Sequence, residues 1–146
     1  MNAFPLPTLG CRCAGFRRAA RALTQLYDSV LRPLGLRGSR FTILQALSRV
    51  SEISQGQWGQ ILAMDSTTLR RTLRIMHQNR WILERRGKDR RERLLRLSST
   101  GKKLLSRATP EWEKVQLRLR KQIGDKEWQD LARAAEQVAD VALPLS

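Results

Sequence analysis

Apolar residues recur at three- and four-residue spacing over most of the chain, which is the signature of amphipathic helices. The first such run starts at about Cys13. Phe16, Ala19, Ala20, Leu23, Leu26, Tyr27, Val30 and Leu31 form one stripe, and Arg17, Arg18 and Arg21 take the other face. Pro5 and Pro7 predict an extended start, and Pro33 and Gly35 close the helix. Ser39 is the expected cap of a second helix that turns Phe41, Leu44 and Leu47 inward. Ser54 caps a short third helix through Trp58, Ile61 and Leu62, with Gly56 and Gly59 as weak points inside it. Asp65 caps a fourth from Ser66 to Gln78, whose inner stripe is Leu69, Leu73 and Met76.

The period then changes. Residues 81–86 and 93–97 are short β-compatible runs on either side of the charged, glycine-containing segment from Gly87 to Glu92, which predicts a hairpin. A long helix follows from about Ser99 with Leu104, Leu105, Ala108, Trp112, Val115, Leu119 and Ile123 on its apolar face. Pro110 predicts a kink or break near Thr109. Gly124 ends this helix, and Asp125 is the expected cap of a last one lined by Leu131, Ala134, Ala135, Val138 and Val141. The fold class is therefore mainly α with a small β-hairpin: six helices, the hairpin placed after the fourth. Short helices followed by a charged hairpin are the layout of a winged helix-turn-helix.

Charge points to a partner. The 146 residues carry 28 Lys and Arg against 13 Asp and Glu, a net charge of +15. Neutralising phosphates releases condensed counterions, so nucleic acid is the polyanion that best relieves this excess. No segment approaches the ~18 uninterrupted apolar residues of a membrane span. The first residues show no basic start before an apolar run, so no secretory signal is expected. The expected compartment is the cytoplasm, where Cys11 and Cys13 are reduced thiols. With a single His, scattered acids and no glycine-rich phosphate loop, the chain offers no catalytic set. Two cysteines one residue apart, with His77 far along the chain, do not make a zinc site either. No cofactor is expected.

Two adjacent segments carry the functional reading. With Leu69, Leu73 and Met76 turned inward, the fourth helix presents Ser66, Thr67, Thr68, Arg70, Arg71, Arg74 and Gln78, with no acid from Ser66 through Arg80. Hydroxyls at a helix N-terminus suit phosphate or base edges, and arginines a turn later can fork onto guanine in the major groove. The second segment is the hairpin tip, with Lys88, Asp89, Arg90, Arg91 and Arg93. Arginines on such a tip suit the narrow minor groove. Asp89 is out of place in a phosphate-seeking loop; its expected role is to pair with a nearby arginine and hold the tip rigid so that Arg91 projects. The competing reading is a solvated basic face on a structural or RNA-binding module that uses charge without reading sequence.

Leu34-Gly35-Leu36, the run from Met64 to Arg71, and the wing Asp89-Arg90-Arg91 leading to Leu97-Ser98-Ser99-Thr100-Gly101 together resemble the MarR (multiple antibiotic resistance regulator) family over about residues 13 to 143. The resemblance implies a two-fold homodimer on a pseudo-palindromic operator in double-stranded DNA. The helix from Ser66 would then read the major groove, with Arg91 in the minor groove. Residues 1–34 and 99–146 would form the dimerisation region and residues 35–98 the DNA-binding region. It implies a sequence-specific regulator, a repressor, released by a small-molecule effector or by thiol oxidation. The spacing from Cys13 to Tyr27 is similar to that of the hydroperoxide-sensing branch, which makes Cys11, Cys13 and Tyr27 the candidate redox sensor, although Arg17 stands where that branch has a tyrosine. One further departure falls after the reading helix. Where the family has glycine, this chain has Asn79-Arg80-Trp81-Ile82, and Asn79 is the residue expected to take the left-handed conformation.

Overall fold

The computed structural model describes residues 10–143, so Pro5 and Pro7 lie outside it. Six helices and three strands follow in the order α1 (Arg12–Leu31), α2 (Gly38–Leu47), β1 (Ile53–Ser54), α3 (Gln55–Ile61), α4 (Ser66–Gln78), β2 (Ile82–Arg86), β3 (Arg93–Leu97), α5 (Ser99–Ile123) and α6 (Asp125–Ala142). A tight helical turn, Arg32–Leu34, links α1 to α2 and ends on Gly35 at φ +71°. The sheet is antiparallel in the order β1-β3-β2, with Glu84 opposite Leu95 and Arg86 opposite Arg93. β1 is a third strand that the hairpin pattern does not announce. Ile53 and Ser54 pair with Leu95 and Leu94, and two residues are too few to show a period.

Leu31, Phe41, Leu44, Trp58, Met76 and Leu95 sit at the centre of one core that joins α1, α2, α3, α4 and the sheet. The first half of α5 closes it with Leu104 and Ala108, and Trp112 stacks its ring at 5.5 Å from that of Phe41. α6 has no buried residue. Its contacts run to α5, and Leu131, Val138 and Val141 stay exposed.

Helix ends decide the orientation of the parts, and several differ from expectation. α2 begins at Gly38, one residue before Ser39, and Ser39 caps nothing. The cap comes from α1 instead: the Gly38 N–H donates to Asp28 Oδ1 at 2.7 Å. A tertiary contact of this kind leaves no trace in local sequence. At the far end, Gly124 at φ +106° is the cap of α6, while Asp125 is its first helical residue and takes the Arg120 guanidinium. α5 runs unbroken through Pro110. Only one ladder bond is lost there, and packing along a 25-residue helix outweighs it.

The end of α4 is the most informative departure. Asn79 stays right-handed at φ −85°, and Arg80 takes the left-handed position at φ +59°. Trp81 N–H reaches back to the Met76 carbonyl and Arg80 N–H to that of His77, which is the paired bonding of a Schellman end. Asn79 uses its side-chain amide on the Ile75 carbonyl. A left-handed non-glycine residue costs about 1 kcal/mol. Burial of Trp81 and Met76 on the two sides of the turn offsets it.

Candidate nucleic-acid interface

The exposed face of α4 is fixed by its cap and by its buried stripe. Asp65 Oδ1 accepts from Thr68 N–H at 2.9 Å and Oδ2 from the Thr68 hydroxyl at 2.6 Å. The Thr68 hydroxyl, followed by its N–H, holds the Asp65 carboxyl below the usual carboxylate range. Of the predicted reading residues, Thr68 therefore has its hydroxyl proton engaged in the cap. Leu69, Leu73 and Met76 are buried. That leaves Ser66, Thr67, Arg70, Arg71, Arg74 and Gln78 on the exposed side, as the spacing requires.

Between β2 and β3, Lys88, Asp89, Arg90, Arg91 and Arg93 are all exposed. Gly87 N–H donates to the Glu92 carbonyl and Glu92 N–H to that of Asp89, which closes the tip. Asp89 does not pair with an arginine side chain. Its Oδ1 accepts the backbone N–H of Arg91 at 3.0 Å, so an Asx turn rather than an ion pair sets the tip. The reason is reach: a short carboxylate two residues before an N–H finds it without ordering a long side chain. A Cβ on Gly87 would meet the Glu92 side chain, which would have to swing aside.

Two carboxylates that the sequence reading passed over brace this head. Glu52, just before β1, takes Arg85 through both oxygens at 2.6 Å, and the guanidinium holds Glu52 below its usual range. Glu84, in β2, lies 3.1 Å from His77 Nε2 of α4 through Oε2 and 3.2 Å from Arg93 of β3 through Oε1. A carboxylate only accepts, so His77 Nε2 carries the proton of that bond. A cleft of about 1770 Å³ opens between α4 and the wing. Its lining mixes the cations Arg70, Arg91 and Arg93 with the acids Asp65, Glu84, Asp89 and Glu92, and Asp140 near the end of α6 also borders it.

The remaining candidates lie apart. Cys11 and Cys13 are free and exposed at the start of α1. Tyr27 is 14 residues beyond Cys13 on the same helix, about 21 Å along its axis. Its hydroxyl accepts from the Gln116 amide, and burial raises its phenol above the usual value. Within one subunit, sulfur and phenol do not meet. Among the described residues no cluster of three metal-ligating side chains occurs, and no helix is long and apolar enough to cross a membrane.

A basic helix that follows a two-helix turn, braced against a three-stranded antiparallel sheet with an arginine-rich tip, defines a winged helix-turn-helix. Comparison with solved structures places it further. The Mycobacterium tuberculosis transcriptional regulator MosR, in its complex with DNA, is similar at a TM-score of 0.82 and 30% identity, over 90% of this chain and 96% of that one. Escherichia coli MarR with operator DNA shares the fold at a TM-score of 0.72 and 19% identity, over 90% and 99% of the two chains. The HTH-type transcriptional regulator YwoH of Bacillus subtilis is 28% identical over 86 residues, a stretch that spans 59% of this chain and 63% of that protein's length. No family model matches the sequence. The chain belongs to the MarR family of transcriptional regulators, which are not enzymes.

Proposed function

We propose that two copies of the chain bind a pseudo-palindromic operator in double-stranded DNA and repress the genes behind it. α4 reads the major groove of each half-site through Ser66, Thr67, Arg70, Arg71 and Arg74, and the wing enters the neighbouring minor groove with Arg91. One observation carries this reading: the acid-free outer face of α4 and the arginines of the adjoining wing tip are exposed together, in a chain of net charge +15. That MosR, at 30% identity, is crystallised with DNA supports it. Such a regulator works in the cytoplasm, where its operator lies.

Support for the homodimer comes from apolar surface. Leu117 is 65% exposed and Val141 87% exposed, with Ile123, Leu131 and Val138 beside them on α5 and α6. A lone subunit that left this much uncovered would be prone to associate. Residues 1–34 and 99–146 form the dimerisation region in this reading, and residues 35–98 the DNA-binding region. Release follows a small-molecule effector or oxidation of Cys13, whose exposed thiol gives a sulfenic acid and water on reaction with peroxide.

Selection from random duplexes, followed by anisotropy titrations and light scattering, tests the proposal. The expected result is a dimer that prefers one palindrome over scrambled sequence by ~10³ or more. A protein that holds both duplexes equally would be a general nucleic-acid binder instead.

A further inference from the structure

The cleft that should receive the duplex has carboxylates among its arginines, and of Asp65, Glu84, Asp89, Glu92 and Asp140 it is Glu84 that pairs with side chains of two other elements. Three elements converge on it: β2, which carries it, α4 through His77 at 3.1 Å, and β3 through Arg93 at 3.2 Å. Its side chain is 28% exposed, so it remains open to whatever fills the cleft. An acid there repels phosphate, and a protein built only for polyanion affinity would gain by losing it. Arg93 in particular lies on the cleft wall but is held by Glu84 rather than free. A further acid of the head, Glu52, engages Arg85 through both oxygens in the same manner.

Resting on the DNA-binding reading above, we propose that Glu84 is a positioning residue for sequence discrimination. By holding His77 and Arg93 at once it fixes the reading helix against the wing, and it withdraws one cation from the phosphate backbone. Affinity for arbitrary duplex is lowered, while the geometry that a correct site must match is kept. A phosphate that approaches Arg93 has to displace Glu84 first, so the exchange is favourable only where the other contacts of the duplex already fit.

Glu84→Gln and Glu84→Ala are compared with the wild-type protein on a duplex selected by that protein and on a scrambled duplex of equal length, across a salt series. Thermal melts at fixed protomer concentration establish that both variants are folded. Freed Arg93 should add one phosphate contact, so the salt slope on scrambled duplex should steepen by about 0.9. Affinity for scrambled duplex should rise about fivefold at low salt, while affinity for the selected duplex stays level or falls, so discrimination narrows by about that factor. Adding Arg93→Gln to Glu84→Ala should cancel the steeper slope without restoring discrimination. Discrimination and slope unchanged in both variants would overturn the role of Glu84. So would a parallel loss on both duplexes that follows lost stability. A wild-type protein that fails to discriminate overturns the DNA reading itself, a result distinguishable from either.

Discussion

Gly101 offers the sharpest test of how the wing is joined to α5. It lies in the first turn of α5, buried, where the helix passes over the end of α4. A Cβ built on it would stand 2.1 Å from the Trp81 carbonyl oxygen and 2.8 Å from Leu97 Cδ1. The oxygen is backbone and cannot swing aside. It already accepts from Ser98 N–H at 3.0 Å, and the Ser98 hydroxyl donates to the Arg80 carbonyl at 2.6 Å. Relief therefore requires α5 to lift away from the Schellman turn by about 1 Å, with strain of about 1–3 kcal/mol. At least one of those hydrogen bonds is lost as well, at about 1 kcal/mol. Against this, Ala gains up to about 1 kcal/mol of helix propensity over Gly. The balance for Gly101→Ala is a destabilisation of about 2 kcal/mol, a fall in Tm of about 4–8 °C for a chain of this size. Thermal and urea melts followed by circular dichroism, at one protomer concentration, measure it. A variant as stable as the parent, or more so, would show that propensity outweighs the clash and that the junction is looser than described.

Other perturbations separate the roles of neighbouring residues. Arg80→Gly should stabilise the fold by about 1 kcal/mol, because glycine takes the left-handed turn without penalty; an unchanged urea midpoint would contradict the strain argument. Trp58 is 1% exposed and its indole N–H has no hydrogen-bond partner among the described residues, so Trp58→Phe should cost little. The relief of an orphan donor, about 1–3 kcal/mol, offsets the lost ring volume, and Trp58→Ala should cost about 3–5 kcal/mol. Arg91→Ala should weaken duplex binding and flatten its salt slope by about one contact, whereas Arg85→Ala, whose guanidinium is engaged by Glu52, should leave the slope nearly as it was. Asp65 titrates below the ordinary carboxylate range in the fold. A depressed folded value means that its contribution is full above the unfolded value and is lost as pH falls through the folded one. The protection of the Thr68 amide, taken relative to the intrinsic exchange rate at each pH, should fall in that acidic window, and protection that stays constant through it would count against the Asp65 cap.

Periodicity made the helices legible because each carries a single apolar stripe at three- and four-residue spacing, and the change to short β-compatible runs around a charged, glycine-containing segment marked the hairpin. Asp65 and Ser54 were legible as caps for the same reason: each acts within three residues of itself. What escaped acts across distance. Asp28 caps a helix ten residues on, and Glu52 reaches Arg85 across 33 residues. Arg80, not Asn79, turns left-handed because the bulk of Trp81 must return to Met76, a packing demand rather than a residue preference. In the candidate site helical spacing placed the cations of α4 outward, and the hairpin pattern placed those of the tip. The carboxylates that brace them were not so placed, since a lone glutamate on a five-residue strand carries no pattern.

Those carboxylates bear on the choice between a reader of sequence and a binder of charge. Six acids precede residue 99, and all but Glu92 accept a hydrogen bond that sets a helix start, a turn or a strand junction: Asp28 from Gly38, Glu52 from Arg85, Asp65 from Thr68, Glu84 from His77 and Asp89 from Arg91. General affinity for a polyanion scales with the number of phosphates neutralised, and each acid in the head works against it. Reading bases demands instead that side chains be held to within a fraction of an ångström, because a misplaced bidentate contact discriminates nothing. A head that keeps its acids where they fix geometry, and leaves its outward face to hydroxyls and guanidinium groups, sacrifices the first property for the second. Glycerol-free binding isotherms on scrambled duplex should accordingly tighten when Glu52 and Glu84 are both made glutamine, while the preference for a selected palindrome declines. A double variant that binds both duplexes more tightly in equal proportion would mean that the acids only dilute charge, and that orientation of the arginines comes from the backbone alone.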